Sequence, residues 1–178
     1  MQIVARPLWS AAKIQDRRVN IFVLDEHPYA AAKYHCDKHV VKMLLESAQM
    51  LCTVNRRYGL YAPYKPVHQK HPCTLWVGES VQNYSWMILL THALQQQYAI
   101  RYGKVHKSYE AVMKLSTVEI YQRLPDIGMT PFAQAMPDQY KHHDPVVAYR
   151  LYYVMEKAKF AQWNHTEVPQ WYKEAMAV

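Results

Sequence analysis

The stretch 35–46 gathers side chains that carry charge or move protons: His35, Cys36, Asp37, Lys38 and His39, then Lys42 and Glu46. At 3.6 residues per turn, His35, His39, Lys42 and Glu46 fall on one helical stripe. Lys38 lies beside that stripe, and Asp25 lies at the mouth of the helix that would carry it. Imidazoles titrate near neutrality, and lysines neutralise phosphates or form imines when their pKa is lowered. The pattern therefore predicts an anion site with proton-transfer groups, against the plainer alternative of a solvated face.

His35 and His39 also have the i, i+4 spacing of helical zinc ligands. His68, His71 and Cys73, or His142 and His143, would have to complete such a site. No Cys-x-x-Cys pair is present and no Glu stands between the two histidines as in the zinc-protease motif, so no metal or other cofactor is expected. Gly-rich phosphate loops and nucleophile elbows are also missing.

Two further clusters mix cations with rings. Arg101, Lys104, His106 and Lys107 make a basic helix end, which the helix dipole alone would favour and which can also grip a phosphate backbone. Arg150, Tyr152, Tyr153, Lys157 and Lys159 combine charge and aromatic surface on a later helix.

Several elements must position these groups. Residues 20–24, Asn-Ile-Phe-Val-Leu, are too short a run for a helix and predict an extended segment through the core. Asp25 and Pro28 signal a helix start, and the helix is expected over residues 28–54, with Val40, Val41, Leu44, Leu45, Ala48 and Leu51 as its apolar stripe. Pro63, Pro66 and Pro72 mark a loop. A second long helix is expected over 80–103, with Val81, Tyr84, Met87, Ile88, Leu94 and Tyr98 facing inward. A third is expected over 108–120 with Ser108 as its cap, then a loop over 125–137. Asp144-Pro145 opens a fourth, expected to reach residue 163. The fold class predicted is all-α: a compact bundle of three to four helices with long Pro-containing loops, formed by residues 19–178, with residues 1–18 as a basic appendage.

The bulk composition agrees with such a domain. The chain has 178 residues, 51% hydrophobic, with only 4 glycines, which suits one globular unit with its own core. No apolar run approaches the roughly 20 residues of a membrane span, and the first ten residues do not read as a signal peptide. An odd count of 3 cysteines argues against a disulfide framework and for a reducing, cytoplasmic setting, with Cys52 in the core. The net charge of +7, with 15 Tyr and 5 Trp, favours a polyanionic partner.

The C-terminal third carries a family resemblance. Met136-Pro-Asp-Gln-Tyr-Lys141, a helix, then Val168-Pro-Gln-Trp-Tyr-Lys173 resembles the end of the small phage-type pyrimidine-dimer DNA glycosylases, also called endonuclease V-type ultraviolet-damage enzymes. Residues 20–24 resemble that family's opening segment, the helix with Lys38, His39 and Lys42 its first helix, and Pro72-Cys-Thr-Leu with the helix to Gly103 its middle part. The resemblance implies a small, basic, all-α protein that kinks duplex DNA, displaces a base and attacks sugar C1′ with an amine. It also implies a carboxylate on the first helix, flanked by phosphate-holding cations. Here His39 stands near the family's glutamate and Lys38 and Lys42 stand for its arginines, so the carboxylate role passes to Asp25, Asp37, Glu46 or a histidine. The family's nucleophile is its terminal amine, whereas about 19 residues precede the opening segment here. A start at Val19 would restore that placement.

The leading expectation is thus a monomeric DNA glycosylase or abasic lyase for damaged or modified pyrimidines in double-stranded DNA. Lys38, Lys42 or a terminal amine attacks C1′, His35 or His39 moves protons, and Asp25 or Glu46 stabilises positive charge at the sugar. Arg101, Lys104, Arg150 and Lys157 bind phosphates, and Tyr34, Trp76, Tyr84 and Trp86 are stacking partners for an extruded base. A non-catalytic basic binder of nucleic acid or of a nucleotide-type ligand, and a zinc-dependent hydrolase using His35 and His39, remain the alternatives.

Overall fold

A computed structural model describes residues 19–177. The expected appendage, residues 1–18, lies outside them. The described chain is all-α, with no strand among the described residues. Its helices are α1 (Pro28–Tyr34), α2 (Asp37–Arg57), α3 (Pro72–Val77), α4 (Val81–Tyr102), α5 (Lys107–Val112), α6 (Thr117–Tyr121), a 3₁₀ turn (Asp138–Tyr140), α7 (Pro145–Lys157) and α8 (Gln170–Met176). No helix among the described residues is long and apolar enough to cross a membrane.

The two long helices, α2 and α4, pack against each other and form the frame. α1 lies on α4, α3 and α5 lie on α2, and α7 packs with α8 and the 3₁₀ turn. Residues 19–24 run through the middle as an extended segment: Val19, Asn20 and the four apolar residues after it are buried. Removing each such apolar side chain from water is worth roughly 1.5–3 kcal/mol. Asn20 fastens the segment, its side chain donating to Ala135 O at 2.8 Å and accepting from the backbone N–H groups of Ile21 and Phe22.

Several helix ends follow their sequence signals. Ser80 Oγ accepts from Asn83 N–H at 3.1 Å, and Gly103 closes α4 at φ +65°. Asp144 Oδ1 accepts from Val146 and Val147 N–H, with Pro145 at the first helical position. α7 stops at Lys157, before the expected residue 163.

Other expectations are corrected. The bundle has eight α-helices among the described residues: two of the four expected helices divide, α3 forms at Pro72 at the end of the expected proline loop, and α8 forms in the tail. The helix expected over 28–54 breaks at His35-Cys36, where both residues are extended. The break is pinned from afar: Cys36 N–H donates to the Tyr153 hydroxyl at 2.9 Å and Asp37 N–H to Gln162 O at 2.8 Å. The helix expected over 108–120 becomes α5 and α6. The cap of α5 is His106, whose ring nitrogen accepts from Ser108 N–H, and Ser116 caps α6. α1 is preceded by His27, with Asp25 Oδ1 accepting from His27 N–H at 2.9 Å instead of capping the helix. Val41 and Leu45, expected in the core stripe of α2, are exposed, and the tail at 170–173 begins helix α8.

Candidate functional site

The opening segment begins against Glu46 of α2. This carboxylate is 3% exposed, and its Oε2 accepts from the backbone N–H of Asn20 at 2.9 Å. Lys42, one turn earlier on α2, places Nζ 3.0 Å from Oε1, with its own side chain about half exposed. Burial pushes the Glu46 carboxyl up from its ordinary range, and Lys42, the Asn20 amide and Lys157 pull against that shift. The result is a carboxylate in a dry position beside a solvent-reachable amine.

Phe22 forms the inner wall. Its φ of +38° is a left-handed conformation that costs a non-glycine residue of order 1 kcal/mol or more. Its ring stacks on His39 at 4.5 Å and lies parallel to Tyr152 at 6.1 Å. Lys157 of α7 donates to the Tyr152 hydroxyl at 3.2 Å and sits over the Tyr152 ring at 4.5 Å. Lys38 is exposed, with Nζ 4.8 Å from the centre of the Phe160 ring. Lys38, Lys42 and Lys157 thus lie around His39 and Glu46, whose ionisation all or some of them influence.

The histidines are core residues. His35 is fully buried and donates Nδ1–H to Ala31 O at 2.6 Å, leaving Nε2 buried without a partner. Burial lowers its pKa to about 4, which the Ala31 bond opposes and the Arg101 charge reinforces. His39 is 2% exposed, Nδ1 is also unpartnered, and burial first, then His35 and the nearby lysines, hold its pKa well below the ordinary value. Both rings are uncharged at neutral pH. They wall the site and are not positioned as proton carriers open to a substrate.

Asp25 lies at the far end of the opening segment, away from the Asn20–Glu46 contact. It is 3.5 Å from Arg150, whose Nε donates to Leu24 O at 2.9 Å. The Arg150 guanidinium faces the rings of Tyr34 at 5.6 Å and Trp171 at 5.2 Å, so Arg150 and Tyr34 share one half-exposed cluster. Lys104 is exposed just after α4.

Arg101 does not share that access. Its side chain is fully buried, paired with Asp37 at 3.1 Å, and bonded to the carbonyls of His35 and Lys33. It locks the α1–α2 break to α4 and has no surface to offer a phosphate. Trp76, Tyr84 and Trp86 are likewise in the core, Trp76 and Trp86 packing around Phe132. Of the four predicted stacking residues, Tyr34 alone is partly open.

Asn20, Phe22 and Trp171 were not among the residues expected at a site, whereas Tyr152 and Lys157 of the expected cation-and-ring group do meet there. A short polar residue heading an apolar run was a usable signal for Asn20 as a local fastener. Phe22 gave no signal, since its role comes from a backbone angle. The zinc alternative lacks a third ligand: among the described residues, no group of three or more His, Cys, Asp or Glu is arranged to hold a metal ion.

Compared with known proteins, the chain matches no family model, no curated protein and no solved structure.

Proposed function

We propose that the chain is a DNA glycosylase–lyase acting on damaged or modified pyrimidine nucleotides through an amine held beside Glu46. The observation that carries this reading is the Glu46 carboxylate, 3% exposed and bonded to both Lys42 Nζ and the Asn20 amide. A carboxyl raised by burial is a better proton acceptor near neutrality than an exposed one. Lys42, about half exposed, is open to a sugar while its proton has an acceptor 3.0 Å away.

In the proposed reaction Lys42 gives a proton to Glu46, and its nitrogen lone pair adds to sugar C1′. The glycosidic bond from C1′ to the base nitrogen breaks, its electron pair leaving with the base, which takes up the proton held by Glu46, while the added Lys42 nitrogen supplies the next one. Opening of the C1′–O4′ bond, with a proton delivered to O4′, yields the imine. Loss of a C2′ proton then expels the 3′ phosphate. An amine at the head of the opening segment would meet the same carboxylate, because the Asn20 nitrogen lies 2.9 Å from it. Lys38 and Lys157 flank this point and would hold adjacent phosphates.

A second reading, a non-catalytic nucleic-acid binder, draws on a different observation: both site histidines are buried and uncharged, and three of the four expected stacking rings lie in the core. Borohydride trapping on duplexes carrying a thymine dimer, an abasic site or no damage separates the two. The glycosylase–lyase reading expects a covalent adduct on a damaged duplex, mapping by digestion to Lys42 or to the opening segment. It also expects trapping to slow about a hundredfold or more in Glu46→Gln. Binding without an adduct on any of the three would establish the binder instead.

A further inference from the structure

A second group of unbalanced charge lies at the other end of α2. Residues 47–78 contain Arg56, Arg57, Lys65 and Lys70, with two histidines and no acidic residue. Arg123, after α6, joins them by donating to Tyr58 O at 2.6 Å. All five cations are exposed, and among the described residues none forms an ion pair.

The loop over 58–71 that carries the two lysines is tied down along its length. Arg56 donates to Ala62 O, Arg57 to Gln69 O at 2.7 Å, and Thr53 Oγ exchanges two bonds of 3.0 Å with the backbone of Val67. Leu60 N–H bonds Asn55 O at 2.9 Å. At the same surface Tyr61 is 68% exposed, with the Arg56 guanidinium 5.9 Å from its ring centre. Three guanidiniums held by backbone carbonyls, with two exposed lysines, no acidic partner and an open ring beside them, suit a phosphodiester chain.

We infer that this surface is a second nucleic-acid contact, gripping the phosphate backbone at a distance from Lys42–Glu46. The helix sets the spacing. Fifteen residues separate Lys42 from Arg57, about 22 Å at 1.5 Å per residue. That is about six or seven base steps along one strand at 3.4 Å each. Around the helix, Arg56 lies about 40° and Arg57 about 60° to either side of Lys42, so the cations at the two ends of α2 point to the same side of that helix.

The test uses the full chain with Lys65 and Lys70 both changed to Gln, because those lysines tie no part of the loop. Binding to an undamaged duplex of about 24 base pairs, followed by fluorescence anisotropy across a salt series, is expected to show a log–log slope shallower by about two, since each lysine neutralises one phosphate. Thermal unfolding of the variant is expected to match the parent. A slope unchanged to within about half a unit, with the fold intact, overturns the inference. A second arm rests on the reading of Lys42–Glu46 as the reaction point. On damaged duplexes trimmed to about three base steps either side of the lesion, the substitutions should no longer matter. Failure of that arm alone would remove the spacing and the reaction point, while the salt slope on undamaged DNA would still stand or fall by itself.

Discussion

Arg101 and Arg150 carry the same guanidinium in opposite settings, and the difference decides what each substitution does. Arg101 has no exposed side-chain surface and neutralises Asp37 inside the α1–α2–α4 junction. Arg101→Ala would leave the Asp37 charge without its partner, at about 3–5 kcal/mol. For a chain of this size that lowers Tm by roughly 10 °C. Calorimetry checks this; a Tm within about 2 °C of the parent, together with a shallower salt slope on DNA, would return Arg101 to the phosphate-binding set. Phe22 gives a second residue-level test. At φ +38° glycine loses no more than alanine to strain. Phe22→Gly is therefore expected to unfold at a denaturant midpoint equal to or above that of Phe22→Ala, reversing the usual order. The cluster 35–46 was legible in the sequence as a set of chemical groups, and Lys42 with Glu46 kept the i, i+4 relation read from it. What the sequence did not carry was burial, which removed both histidines, Arg101 and three rings from the reach of a ligand.

Elements whose ends are set by their own residues were the readable ones. Asp144-Pro145, Ser80 and Gly103 each satisfy backbone groups within a turn, so the signal and its effect are neighbours in sequence. The break at His35-Cys36 is the opposite case. Apolar periodicity runs straight across it, and the chain turns there because Tyr153, Gln162 and Arg101 supply partners from 66 residues away or more. Tyr153 is the member whose loss is cleanest. Its ring is buried and its hydroxyl accepts from Cys36 N–H, so Tyr153→Phe keeps the packing and strands one buried donor. The expected cost is about 1–3 kcal/mol, read from the urea midpoint. Asp144→Ala, which removes a cap without touching the core, should cost about 1 kcal/mol in the same experiment. If the two variants were equally mild, the tertiary account of the break would lose its support.

At the scale of the whole molecule the titrations add up, because three histidines were folded away uncharged. Burial lowers His35 and His71 to about 4 and His39 well below its ordinary value. In the unfolded chain each returns to about 6.5. The folded pKa is the lower one, so stability from these neutral rings is complete above pH 6.5 and is lost as pH falls towards about 4. His35 and His71 each contribute a slope of at most about 1.4 kcal/mol per pH unit inside that window, and His39 adds in the same direction. Glu46 has the opposite sign. Its folded carboxyl is raised, so its contribution is fullest below the ordinary carboxylate range and declines as pH rises through the raised value. One carboxyl against three imidazoles leaves the histidines dominant, and the net charge of +7 grows as they protonate, adding repulsion. Tm is therefore expected to be highest above pH 6.5 and to fall steeply between pH 6.5 and 4. His35→Gln would take one proton out of that uptake, making the decline shallower. A Tm that stayed level or rose towards pH 4 would mean that His35, His39 and His71 titrate freely in the folded chain, and that the wall of uncharged rings around Glu46 is not closed.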